Sequence, residues 1–131
     1  MSDTFYTVSE TWNRRELISA SLGEIYLECR WENWDGYGAR AVTPSAFEEA
    51  LVLLSSLPEN IPLPEFAGEP DGSIGMQWEN GPNRIFALSV SGKGVIIYAG
   101  RLGKASKAHG TEVFSDSLPT SLMGYLHRLF S

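Results

Sequence analysis

Residues 74–100, IGMQWENGPNRIFALSVSGKGVIIYAG, carry the clearest architectural signal in the chain. Ile74, Met76 and Trp78 alternate with small or polar residues, the period of a half-buried strand. Two further strand-like runs, Arg84–Val90 and Val95–Ala99, follow, and glycine turns at Gly81-Pro82 and Gly92-Lys93-Gly94 separate them. Asp71-Gly72 just upstream is a hairpin signal. Phe66 is placed on a preceding strand, and Thr111 to Phe114 on a short last one. The sum is a four- to five-stranded antiparallel meander.

Helical periods flank this sheet. From Ser9 to about Asp35, Ile18, Leu22, Ile25 and Cys29 stack on one face, with Leu27, Trp31 and Trp34 beside them. Thr7 and Glu10 have capping-box spacing for its start, and Gly23 could bend it. A second helix follows, capped by Thr43 with Pro44 in the first position, and Phe47, Ala50, Leu51 and Leu54 share a face. Pro58 stops it, and the prolines of residues 58–64 make an extended connector. At the C-terminal end Pro119 opens a third helix, with Leu118, Leu122, Tyr125, Leu126 and Leu129 inward. A single sheet must cover its apolar face. The expectation is therefore one α+β domain over 1–131: two N-terminal helices, the meander, and a C-terminal helix, with the helices on one face. Residues 1–7 are a candidate disordered lead.

Composition narrows the classes. The chain has 131 residues, 43% hydrophobic and 20% charged, values of a globular domain large enough to bury a core. No apolar run approaches membrane length, and the start lacks the basic and apolar regions of a secretory signal, so a cytoplasmic protein is expected. Cys29 is the only cysteine, which excludes an internal disulfide and a cysteine-clustered zinc site. Charge is unevenly placed: residues 1–79 hold fourteen Asp or Glu against four Arg, and residues 80–131 hold two against six Lys or Arg. Such asymmetry marks a partner face, or the two halves neutralise each other on folding.

Motifs for chemistry are sparse. The glycines of NWDGYGAR (33–40) follow a helix, where carbonyls point outward, whereas a phosphate loop precedes one. Glu32 and Asp35 would repel an anion, so the stretch reads as a helix stop, with Gly36 or Gly38 supplying a left-handed residue and Trp34 and Tyr37 pinning the turn to the core. GRLGKAS (100–106) lacks the glycine spacing and the hydroxyl after lysine of a P-loop. Arg101, Lys104, Lys107 and His109 could contact an anion or phosphates, or form a solvated loop. Cys29 reads as a small core residue. His109 and His127 show no metal spacing, so neither metal nor cofactor is expected, and no carboxylate pair is placed in a cleft for acid–base work. One pattern remains: Glu24, Glu28, Glu32 and Asp35 form an acidic stripe on a helix face beside Trp31 and Trp34. It is a solvated face, or a docking face for a basic partner with tryptophan as anchor.

NWDGYGA (33–39), PDGSIGMQWE (70–79), IYAG (97–100), GTEVF (110–114) and the Leu118-Pro119 pair occur in order, and together they resemble a family of small bacterial proteins. No activity, substrate or catalytic residue comes with that resemblance. It implies a bacterial, cytoplasmic origin in genomic regions where small acidic proteins act as antitoxins or inhibitors. The leading expectation is a non-catalytic protein-binding module, an antitoxin, immunity or inhibitor protein for a basic partner. The rivals are a nucleic-acid binder using residues 101–109 and a small-molecule site between sheet and helices.

Overall fold

The structure, a computed structural model, describes residues 13–131. Its elements are α1 (Arg14–Cys29), α2 (Pro44–Ser55), β1 (Glu65–Gly68), β2 (Ile74–Glu79), β3 (Arg84–Val90), β4 (Val95–Leu102), β5 (Lys107–Val113) and α3 (Thr120–Leu129). The five strands form one antiparallel meander in the order β1-β2-β3-β4-β5. The fold is therefore α+β. No described helix is long and apolar enough to cross a membrane.

Strand alternation turns Ile74, Met76 and Trp78 of β2, Phe86, Leu88 and Val90 of β3, and Ile96 of β4 to one face. These join Ile18 and Leu22 of α1, Leu53 and Leu54 of α2, and Leu122, Leu126 and Leu129 of α3 in one buried cluster. All three helices thus contribute to the core on that face. Rings run through it: Phe86 lies between Trp78, Tyr98 and Tyr125 at centroid distances of 6.3, 5.9 and 5.7 Å.

The sheet reaches further than expected. β4 runs on through Arg101 and Leu102, and β5 begins at Lys107, so the basic segment is a hairpin and not a loop. Glycine and alanine hid these strand ends, since neither carries β-propensity. Neighbouring rings require the glycines. A Cβ on Gly100 would stand 2.7 Å from Phe86 Cδ1, and one on Gly110 would stand 2.8 Å from the Tyr98 hydroxyl.

The helix starts divide in the same way. Thr43 Oγ1 accepts from the Ala46 N–H at 3.1 Å with Pro44 in the first turn, as the sequence indicates. For α1 the expected Thr7–Glu10 cap lies outside the described residues. Here Asn13 caps, its Oδ1 accepting from the Glu16 N–H at 2.8 Å while its amide donates to Glu16 Oε1 at 3.1 Å. The other end is a correction: α1 stops at Cys29, not near Asp35. The Val42 N–H takes the Cys29 carbonyl at 2.8 Å, and Asn33 sits at φ 63°, which no helix accommodates.

Candidate functional site

Residues 30–42 form a closed turn whose polar groups satisfy one another. The Asn33 N–H donates to the Ala39 carbonyl at 2.7 Å, and Asn33 Oδ1 accepts from Gly38 at 2.6 Å. Asp35 Oδ1 accepts from both Tyr37 N–H (2.8 Å) and Ala39 N–H (3.0 Å). The Trp34 indole N–H donates to the Arg40 carbonyl at 2.8 Å, and its ring packs against the core. Gly36 and Gly38 hold φ of 79° and 86°, but the left-handed residue nearest the helix end is Asn33. The turn is held by its own side chains, since the Asn33 and Asp35 side-chain oxygens take up the Tyr37, Gly38 and Ala39 N–H groups.

This breaks the acidic stripe. Glu24 and Glu28 are exposed on α1, while Glu32 lies past the helix end with Oε1 accepting from the Ala41 N–H at 3.3 Å. Asp35 is half-buried within the turn. Four carboxylates on one helix face are therefore two, because the helix that would align them ends first. The aromatic pair divides as well. Trp34 is committed to the turn, whereas Trp31 is 60% exposed, with the Arg30 guanidinium 4.7 Å from its ring centroid. Tyr37, expected to pin the turn to the core, is 92% exposed. Leu27, one turn before Trp31, is 59% exposed. Glu24, Leu27 and Glu28 at the C-terminal end of α1, with Arg30 and Trp31 just beyond it, thus form a surface of two acids, two large apolar side chains and one arginine stacked on the tryptophan. Besides the early helix stop, the exposure of Leu27 and Tyr37 escaped the sequence, since periodicity alone assigns apolar residues inward.

The basic residues lie elsewhere. Arg101 on β4 pairs across strands with Lys107 on β5, and both turn to the sheet face opposite the core. His109 lies on that face as well, and Lys104 lies in the exposed turn between the two strands. No aromatic residue lies between Arg101 and His109.

Two further features carry no sequence signal. A hollow of about 630 Å³ lies where the turn meets the sheet, lined among others by Glu32, Arg40, Thr43, Asp71, Lys93 and Ile97. A smaller one of about 220 Å³ sits on the outer sheet face around Gly75, Ala87 and Ser89, with Glu65 and Glu69 beside it. There the Ser89 hydroxyl donates to Glu69 Oε1. The first is mixed in charge and the second acidic, and both are open and formed by residues from separate elements, which a linear reading does not join.

The reactive groups are muted. Burial, and secondarily the Glu28 charge, pushes the Cys29 thiol above its ordinary value, so the thiolate form is disfavoured. The Tyr98 phenol is pushed up by burial first, then by Tyr125 and Glu112. Among the described residues no three His, Cys, Asp or Glu side chains gather as a metal-holding group. Compared with known proteins, the chain matches no family model, no curated protein and no solved structure.

Proposed function

We propose that the protein is a non-catalytic binding module that docks a basic protein, in the manner of an antitoxin, immunity or inhibitor protein. The observation that carries this is the end of α1, where Leu27 and Trp31 remain 59% and 60% exposed beside the carboxylates of Glu24 and Glu28. Exposed tryptophan supplies anchor area with little conformational entropy to lose, and Glu24 and Glu28 steer a basic partner, outnumbering Arg30, the cation that lies on the ring. The support is rigid, because Trp34, Asn33 and Asp35 close the turn behind it. The docking surface is thus Leu27 and Trp31 with Glu24 and Glu28. Glu32 borders it, and Trp34 and Asp35 hold it in place.

The test is capture from the native host with the full chain and with a Leu27→Ser, Trp31→Ser variant of unchanged melting temperature. The expected result is a basic protein retained by the first and lost by the second. For Glu24→Gln, Glu28→Gln the loss should fall on the association rate and shrink at high salt, since steering acts over a Debye length of about 8 Å. A captured partner that binds both chains equally would overturn the reading.

A further inference from the structure

The sheet face opposite the core is left uncovered by the described residues. Ile97 is 63% and Val113 80% exposed on it. Between them and β1 most outward side chains are small, with Ala67, Gly75, Ala87, Ser89 and Ala99 set among the longer Gln77 and Ile85. Charge divides across it. Glu65 on β1 and Glu79 on β2 lie to one side, Arg101 on β4 and Lys107 and His109 on β5 to the other. Arg101 stands directly opposite Lys107. Like charges so paired on one face work against folding, which points to a counter-charge from outside the chain. We infer that this face packs against the same face of a second copy, about a two-fold axis lying between the sheets and parallel to their strands.

That axis follows from the charges. It reverses the order across the sheet and preserves position along it, so β3 crosses β3, β4 lies over β2 and β5 over β1. The strand register then fixes which residues meet. Gly75, Ser89 and Ile97 lie at one level; Gln77, Ala87 and Ala99, with Glu65 and His109, at a second; Glu79, Ile85 and Arg101 at a third. Ile97 of the second copy therefore comes over Gly75, its Arg101 over Glu79, and its His109 over Glu65. Basic side chains meet acids, which is self-complementarity of the kind a two-fold interface needs, while the exposed isoleucine comes over Gly75 and the Glu69 carboxylate that lies across it. The alternative axis, across the strands, would lay β1 on β1 and acid on acid.

One group opposes the packing. The Glu69 N–H donates to the Ser73 carbonyl at 2.9 Å, which continues the β1–β2 register and puts Glu69 on the same outer face. Its carboxylate crosses Gly75 to Ser89. In the pair it lies beneath Val113 and Ile97 of the second copy, which disfavours its charge. Five strands at about 4.8 Å spacing give two such faces roughly 1,000 Å² of buried surface, the low end for a specific contact, so the dimer is weak.

Sedimentation equilibrium of the full chain, from a few micromolar to several hundred, tests this. A monomer–dimer equilibrium that weakens between low and high salt is expected. Arg101→Glu and Glu79→Arg should each weaken it about tenfold, and the two together should restore it to within about threefold, because each contact occurs twice. Glu69→Gln should tighten it and Ile97→Asp abolish it, with circular dichroism melts checking that every variant is folded. A chain monomeric throughout overturns the proposal. So does a dimer indifferent to the Arg101 and Glu79 reversals, which would place the contact on the β5 edge or another surface.

Discussion

The Trp78 indole N–H donates to the Pro62 carbonyl oxygen at 2.8 Å, so the largest buried side chain of the sheet also ties down the connector that enters it. Pro62 lies in the segment after α2, whose prolines keep it extended and leave its carbonyls without helical partners. Trp78→Ala removes both the ring and the tie, and should cost about 3–5 kcal/mol. Trp78→Phe keeps most of the ring and should cost about half as much. Urea titration measures both, and a loss under about 1 kcal/mol for the alanine variant would show that the ring carries no core.

Gly68 and Cys29 form a second contact of this kind. A Cβ at Gly68 would lie 2.6 Å from Cys29 Sγ, backed by Trp34. Gly68→Ala should therefore destabilise by about 1–3 kcal/mol, as overpacking does. Cys29→Ala made in the same chain opens the space, so the double variant should be more stable than the sum of the single effects predicts. Strict additivity in the double-mutant cycle would mean the two sites do not touch.

The same thiol gives a pH dependence. Burial raises the folded pKa of Cys29, with Glu28 adding to the rise, so the folded chain keeps the thiol proton to higher pH than the unfolded chain does. Its contribution is full below the unfolded thiol pKa of about 8.5 and fades as pH rises through the folded value. The stability advantage of the wild type over Cys29→Ala should accordingly narrow between about pH 8 and pH 10. A constant or widening difference in urea titrations across that range would contradict the burial of the thiol.

Much of this fold is legible in the residues because local and global signals agree. Thr43 and Pro44 mark a helix start with chemistry no other structure needs, and Ile74, Met76 and Trp78 alternate cleanly into the core. Failures fall where a side chain replaces the usual signal. Asn33 ends the α1 region by adopting a left-handed backbone and bonding Gly38, a role normally read from glycine. Gly100, Ala108 and Gly110 look like loop residues, yet Phe86 and Tyr98 cover the two glycines. The acidic stripe failed for the first of these reasons, since its last two members lie past a stop that the apolar period ran through. The outer sheet face was invisible, because its pairing of charges depends on strand register.

At Gly38 the backbone holds φ +86° with nothing within 4 Å of a built Cβ. Strain is then the only objection to a side chain there, not space. Gly38→Asn should cost under about 1 kcal/mol, because asparagine tolerates the left-handed region, and Gly38→Val should cost at least about 1 kcal/mol more. Thermal melts that coincide for the two variants would remove the argument.

The carboxylate of Glu49 ties α2 to the sheet. It reaches from α2 to the β3–β4 hairpin, where Oε1 accepts from the Gly92 N–H and Oε2 from the Gly94 N–H, each at 2.7 Å. Gly92 and Gly94 hold φ of 87° and 75°, so the turn presents both donors to one side. A Cβ on Gly92 would stand 2.6 Å from the Ser45 Cβ and 2.8 Å from the Ala46 N, which shows how tightly the hairpin seats on the start of α2. Hydrogen bonds to a charged acceptor contribute about 1.5–3 kcal/mol, more than neutral ones. Glu49→Ala leaves two backbone donors without a protein partner in a half-buried site and should cost about 2–4 kcal/mol. Glu49→Gln keeps one acceptor oxygen and turns an amide N–H₂ toward the other donor, so it should recover less than half of that loss. Amide exchange distinguishes this tie from a general loss of stability. In Glu49→Ala, exchange at Gly92 and Gly94 should quicken well beyond the change at core amides such as Leu88, since local opening of the hairpin precedes global unfolding. If Gly92 and Gly94 instead exchange in step with the core, the carboxylate does not hold the hairpin, and α2 and the sheet are joined by their apolar contacts alone.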